Sequence, residues 1–96
     1  MHKMIERNAR VVVPTDVLMR EVDGEAVILH LHSESYFGLD AIGTSMWKYL
    51  TTSESVGSAE LMLREEYEVS PEELAKDLDE FIERLSKLGL VHVTVG

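Results

Sequence analysis

Ser35-Tyr36-Phe37-Gly38-Leu39-Asp40-Ala41-Ile42-Gly43-Thr44-Ser45-Met46-Trp47-Lys48-Tyr49-Leu50 decides the fold, because the hydrophobic period changes inside it. Up to Leu39 the residues are short, aromatic and suited to a pleated strand. From Asp40 onward the apolar positions Ile42, Met46, Trp47 and Leu50 recur at spacings of three to four, one face of a helix that Asp40 is placed to N-cap. A strand therefore hands over to a helix near residue 40.

Toward the N-terminus the period of two continues. Val17-Leu18-Met19-Arg20-Glu21-Val22 and Glu25-Ala26-Val27-Ile28-Leu29-His30-Leu31-His32 read as strands separated by Asp23-Gly24. That dipeptide suits a type I′ hairpin, whose two central residues both need positive φ. Only Ser33-Glu34 lies between the second strand and Ser35–Leu39, so the three strands are expected to form an antiparallel meander. Val11-Val12-Val13 is a further extended piece, which Pro14 ends at a sheet edge.

Toward the C-terminus the spacing stays helical. Thr51, Thr52, Ser53 and Ser55 end the first helix, and a second is expected from about Val56 to Tyr67 with Ala59, Met62, Leu63 and Tyr67 on one side. The third starts at Ser70-Pro71-Glu72-Glu73, which offers an N-cap serine, proline at the first helical position and a glutamate three residues on. Its stripe is Leu74, Leu78, Phe81, Ile82, Leu85 and Leu88, and Gly89 follows as a candidate left-handed C′ residue. Leu90–Val95 reads as a short last strand. The expected architecture is α+β: a three-stranded antiparallel meander followed by three helices, winged-helix-like. One domain over residues 1–96 is expected, with a sheet part at 8–40, a helical part at 41–89 and a C-terminal strand or tail at 90–96.

The chain has 18 acidic and 9 basic residues, a net charge of −9. Eleven of the carboxylates lie between residues 53 and 83, against Arg64 and Lys76 alone. A nucleic-acid binder is held by neutralising phosphates, so this distribution argues against DNA or RNA as ligand. Solvated helix faces are the simplest account of the carboxylates. No apolar run approaches the length of a membrane span, no apolar segment near the start suggests a secretory signal, and cysteine is absent, so a cytoplasmic location is expected.

Catalytic signals are sparse. His30 and His32 stand at i, i+2 and would share a strand face, but no third ligand is specified, so no metal or other cofactor is expected. No serine sits in a Gly-x-Ser-x-Gly elbow, and Gly38 and Gly43 do not make a phosphate loop. The expectation is a protein that binds and does not catalyse. The third strand of the meander is the candidate site, since its edge lacks the lysine, proline or bulge that usually guards one. Ser35, Tyr36, Phe37, Gly38 and Leu39 could accept an extended peptide by strand addition, with the N–H of Phe37 or Leu39 facing the open edge. The last strand or a second copy of the chain, as a homodimer, is the competing cover for that edge. The stripe on the third helix is wider than one core seam needs, so part of it is a candidate groove floor.

Taken together, Val17-Leu18-Met19-Arg20-Glu21-Val22-Asp23-Gly24-Glu25-Ala26-Val27, Tyr36-Phe37-Gly38-Leu39-Asp40, Gly43-Thr44-Ser45-Met46-Trp47 and Asp77-Leu78-Asp79-Glu80-Phe81-Ile82 resemble the PqqD-like family. The resemblance runs over nearly the whole chain from about Asn8, and the stretch from Tyr36 to Trp47 is its most specific part. It implies three strands then three helices, a winged-helix-like precursor-peptide recognition element. Such a module binds the leader segment of a ribosomally made, post-translationally modified peptide and presents it to the modifying enzyme. The leader is implied to add to Ser35–Leu39 and to lie against the helix from Pro71 to Leu88, where Leu74, Asp77, Leu78 and Phe81 are the candidate contacts. The chain looks more like the free-standing leader-binding proteins of lasso-peptide clusters, which work with a leader peptidase and an ATP-dependent cyclase. The alternatives are the peptide chaperone of pyrroloquinoline quinone synthesis, which partners a radical SAM enzyme, and a winged-helix DNA-binding regulator. The latter is disfavoured by Glu72, Glu73, Asp77, Asp79, Glu80 and Glu83 on the third helix.

Overall fold

Asp23 and Gly24 both adopt positive φ, 53° and 81°, in the computed structural model of the chain, which describes residues 4–95. They join β2 (Val17–Val22) to β3 (Glu25–His30) with Val22 opposite Glu25, the register a two-residue I′ turn imposes. β4 (Ser35–Leu39) pairs antiparallel with the other side of β3, so the sheet order is β2-β3-β4. Three helices follow: α1 (Ala41–Thr52), α2 (Val56–Glu66) and α3 (Pro71–Lys87). This is the expected α+β meander followed by three helices. None of the helices among the described residues is long and apolar enough to cross a membrane.

Each helix begins where a side chain can accept one of the unpaired amides of the first turn. The Asp40 carboxylate accepts from Gly43 N–H at 2.8 Å, Ser55 Oγ from Ser58 N–H at 3.1 Å, and Ser70 Oγ from Glu73 N–H at 3.1 Å. The far end of α3 closes in a Schellman motif. Gly89, at φ 75°, donates to the Ser86 carbonyl at 3.1 Å, and Leu90 donates to the Leu85 carbonyl at 3.0 Å.

That reversal sends the chain into β5 (His92–Val95), which pairs antiparallel with β1 (Ala9–Val12) as a separate two-stranded sheet. β5 therefore does not cover β4, and within this chain the outer edge of β4 is left without a strand partner among the described residues. The expected strand through His32 also ends early, at His30. Glu34 takes φ 56° and donates to the Leu31 carbonyl at 3.3 Å, so His32 lies in a turn and the two histidines do not share a strand face.

The inward residues Val17, Ala26 and Ile28 are buried together with Met46, Trp47 and Leu50 of α1 and the α3 stripe. Three expected stripe positions face solvent instead: Ile42, Met62 and Leu88. Leu88 is the C-cap, past the last full turn. On α2 the buried positions are Val56, Ala59, Glu60 and Leu63. The face is rotated away from Met62 because Glu60 turns inward to meet Arg7, whose Nε donates at 2.9 Å. Arg7 Nη1 also donates to Asp79 at 2.7 Å, and Asp79 is 0% exposed. Glu60 and Asp79 are thus not the solvated helix carboxylates that the charge pattern suggested.

Sheet and helices are locked by Thr44. Its buried hydroxyl accepts the Ala26 N–H at 2.8 Å and lies 3.4 Å from the Leu39 carbonyl, to which it donates. Thr44→Val keeps the shape but leaves that amide unpaired in the interior. The expected cost is about 1–3 kcal/mol, read as a lower midpoint in urea unfolding with an unchanged slope.

Candidate peptide-binding edge and groove

Hydrogen bonding alternates along an antiparallel strand, so the turn fixes which amides of β4 are free. The I′ turn makes Val22 and Glu25 a bonded pair, and Leu31 N–H still reaches the Asp16 carbonyl at 2.9 Å on the β2 side. Glu25, Val27, Leu29 and Leu31 therefore direct their amides to β2, while Ala26, Ile28 and His30 direct theirs to β4. The Ala26 N–H, bound by Thr44 of α1 just beyond the end of β4, agrees with this parity. Since Ile28 faces Phe37 and Ala26 faces Leu39, the amides of Phe37 and Leu39 are spent on β3. It is Tyr36 and Gly38 that present N–H and C=O to the open edge. This corrects the expectation for Phe37 and Leu39, which followed from composition without the register.

The side chains follow the same alternation. Phe37 and Leu39 turn toward the core, whereas Tyr36 is 73% exposed on the other face and Gly38 is exposed beside it. Ser35, at the start of the strand, is hydrogen-bonded to the Ser33 hydroxyl in the turn.

Next to the C-terminal half of β4, between it, the first turn of α1 and the middle of α3, lies a groove of about 480 Å³. Its apolar lining is Leu39, Met46 and Phe81, with Met46 and Phe81 both 6% exposed, and Ile42 stands half exposed at the wall. Asp40, Asp77, Glu80 and Arg84 make the polar rim. The Arg84 guanidinium sits 6.0 Å from the Phe81 ring centroid, at the outer limit of a cation–π contact. Asp77 and Phe81 are thus brought to the same groove as Gly38 and Leu39. Leu74 and Leu78 are not: they are buried in the core.

Glu80, Arg84 and Ile42 line the groove although the sequence marks none of them as a binding residue. Glu80 and Phe81 stand three and four residues after Asp77, and Arg84 four and three after them, so extending the helical face from Asp77 reaches both Glu80 and Arg84. Ile42 betrays itself only as a member of the α1 stripe that has no partner.

Elsewhere the chemistry is structural. The Tyr49 hydroxyl is held above its ordinary pKa by the charge of Glu66, then by burial and a hydrogen bond to the same carboxylate, on a part of α1 that does not line the groove. Burial opposes the charge on Arg7, but its hydrogen bonds and charge interactions with Asp79 and Glu60 outweigh that and raise its pKa. Among the described residues no group of three or more His, Asp or Glu side chains is placed to hold a metal ion. His30 is held by Ser33 Oγ at 2.6 Å and stands 3.6 Å from Asp16.

Comparison with known proteins yields one family and two solved structures. Residues 25–91 match the family described as coenzyme PQQ synthesis protein D (PqqD). The structure of TbiB1 in complex with the TbiA(beta) leader peptide superposes with a TM-score of 0.79 at 30% identity, covering 83% of this chain and 93% of that one. A lasso peptide synthetase B1 complexed with the leader peptide superposes with a TM-score of 0.76 at 20% identity, over 88% of this chain and 98% of that one, a likeness of fold. No curated protein sequence matches the chain.

Proposed function

The chain belongs to the PqqD family, and from that premise we propose that it is a non-catalytic recognition domain that binds the leader segment of a ribosomally made precursor peptide. The leader adds as a strand to β4, and the domain presents the precursor to a modifying enzyme or leader peptidase, of lasso-peptide type, in the cytoplasm. The observation that carries this reading is the alignment of the free Tyr36 and Gly38 amides with a groove floored by Phe81 and Met46. Main-chain bonds at such an edge supply affinity, and the pockets beside it supply selectivity. The likeness to TbiB1, solved with a leader peptide, supports leader binding as the function.

Isothermal titration tests the proposal, with the leader of a precursor encoded near this chain's gene and the TbiA(beta) leader as comparator. The expected result is one-to-one binding of the cognate leader and none of its scrambled sequence. Binding of duplex DNA at physiological ionic strength, with no leader binding, would instead favour a regulator, against the acidic exposed face of α3. The second reading, the peptide chaperone of pyrroloquinoline quinone synthesis, predicts that the bound leader belongs to that pathway's precursor and that a radical SAM enzyme joins the complex.

Asp77 stands on the groove rim where a leader amide or basic side chain would pass. Asp77→Asn preserves volume and removes the charge, so leader affinity is expected to fall by roughly tenfold, the scale of one charge-assisted hydrogen bond, with an unchanged melting temperature. Wild-type affinity in both Asp77→Asn and Arg84→Gln would move the reading surface off this wall.

A further inference from the structure

The meander has a second face, turned away from the helices. Leu18, Leu29 and Tyr36 lie directly across from one another on β2, β3 and β4, and Val27 lies opposite Gly38 in the neighbouring row. Leu18 and Tyr36 are well exposed, and Val27 and Leu29 only partly covered. A cross-strand row of large apolar side chains on an open face marks a surface with an occupant. The row ends abruptly at the β4 edge: after Tyr36, the next outward position is a glycine. A Cβ built on Gly38 meets nothing within 4 Å, and its backbone is not in the left-handed region, so neither crowding nor conformation requires glycine there.

We infer that Gly38 is a notch, walled by Tyr36 and floored by Val27, that receives a large apolar side chain of the incoming strand, so that the peptide is read on both faces. This rests on the strand-addition reading and goes beyond it, since it concerns the face opposite the α3 groove. The geometry selects the occupant. A residue paired directly with Gly38 on an added strand has its side chain on the outward face, about 4.5–5.5 Å away and beside the Tyr36 ring. Such a side chain covers a strand glycine that would otherwise leave backbone exposed, as aromatic residues do across from strand glycines. A flat protein surface laid over the sheet would gain more from a β-branched residue at this position than from a gap. The residue next along the peptide, opposite Phe37, points the other way, toward the helices. The ligand class is therefore an extended peptide with a large apolar residue at one outward position, in alternation with its groove-facing residues.

A randomised peptide display library panned on the wild type and on Gly38→Val tests this. Valine fits the open space and strengthens the strand, so the variant is expected to melt at or above the wild-type temperature, and Gly38→Ala gives a milder second variant. Wild-type selections are expected to enrich a large apolar residue at one outward position and a separate preference at groove-facing ones. On Gly38→Val the outward preference should shrink to small residues while the groove-facing preference persists. A synthetic large-residue peptide should bind Gly38→Val at least about fivefold more weakly than the wild type, the scale of one packed aromatic contact, and its alanine version should bind both alike. Enrichment confined to groove-facing positions overturns the notch and leaves strand addition standing. Failure to enrich any peptide on folded wild-type protein overturns both.

Discussion

Proline at Gly38 is expected to abolish leader binding while the protein stays folded. Three effects add at one residue. The N–H that would donate to the incoming strand disappears, the ring carbons project into the space that strand must occupy, and the carbonyl of Gly38 loses its paired neighbour in the ladder. Each lost main-chain bond alone is worth roughly tenfold in affinity, and the clash adds to it, so binding should drop by at least about a hundredfold. The fold survives because this amide is not used inside the chain, and edge strands are where sheets tolerate proline. Tyr36→Pro should behave alike. Phe37→Pro is the informative contrast: its amide faces Ile28, so proline there breaks the β3–β4 ladder and lowers the melting temperature. Leader titration with circular dichroism on all three variants reads the outcome. Wild-type affinity in folded Tyr36→Pro and Gly38→Pro would sink the edge-strand site.

The largest stability loss is expected at Arg7, a residue remote from the groove. Its guanidinium joins the segment before β1 to α2 through Glu60 and to α3 through the fully buried Asp79. The same segment approaches α2 so closely that Gly57 N–H donates to the Arg7 carbonyl at 2.9 Å, and a Cβ on Gly57 would stand 3.1 Å from that oxygen. Arg7→Met keeps much of the apolar stem and removes the charge that lies 2.7 Å from Asp79 and 2.9 Å from Glu60, two buried carboxylates. Breaking a buried pair from one side costs about 3 kcal/mol, and for a domain of this size that lowers the melting temperature by more than about 10 °C. Differential scanning calorimetry of Arg7→Met checks the value. A shift of only a degree or two would show that Asp79 and Glu60 are satisfied without Arg7. Leader binding at a temperature where the variant is folded should be unaffected, because none of these groups lines the β4 groove.

These two sites differ in how far the sequence announces them. The strand-to-helix change at residue 40, the Asp23-Gly24 turn, the Ser70-Pro71 helix start and the Gly89 stop are local events. Each depends on backbone preferences and side-chain bonds within a few residues, so the sequence alone was enough to place them. The β4 segment was legible as an unguarded edge for the same reason. Asp77 and Phe81 were legible as candidates through helical spacing, which also put forward Leu74 and Leu78, and the family resemblance pointed to the helix as a whole.

What tertiary structure decided was every relation between distant segments. Spacing put Leu74, Leu78 and Phe81 on one stripe, but only the packing of α3 into the shared core divides that stripe between the interior and a groove wall. The destination of the last strand was open to local rules, since β5 is competent to pair with any edge; the Schellman reversal at Gly89 and the position of the segment around Ala9 send it to β1 and leave β4 free. The inward turn of Glu60 and Asp79 was invisible for the same cause, because a carboxylate at helical spacing looks solvated until a charge from a remote part of the chain is brought within hydrogen-bond distance. Parity at the edge is the intermediate case: composition named the strand, whereas the hydrogen-bonded register carried across β3 from the hairpin turn determines that Tyr36 and Gly38 face outward with free amides.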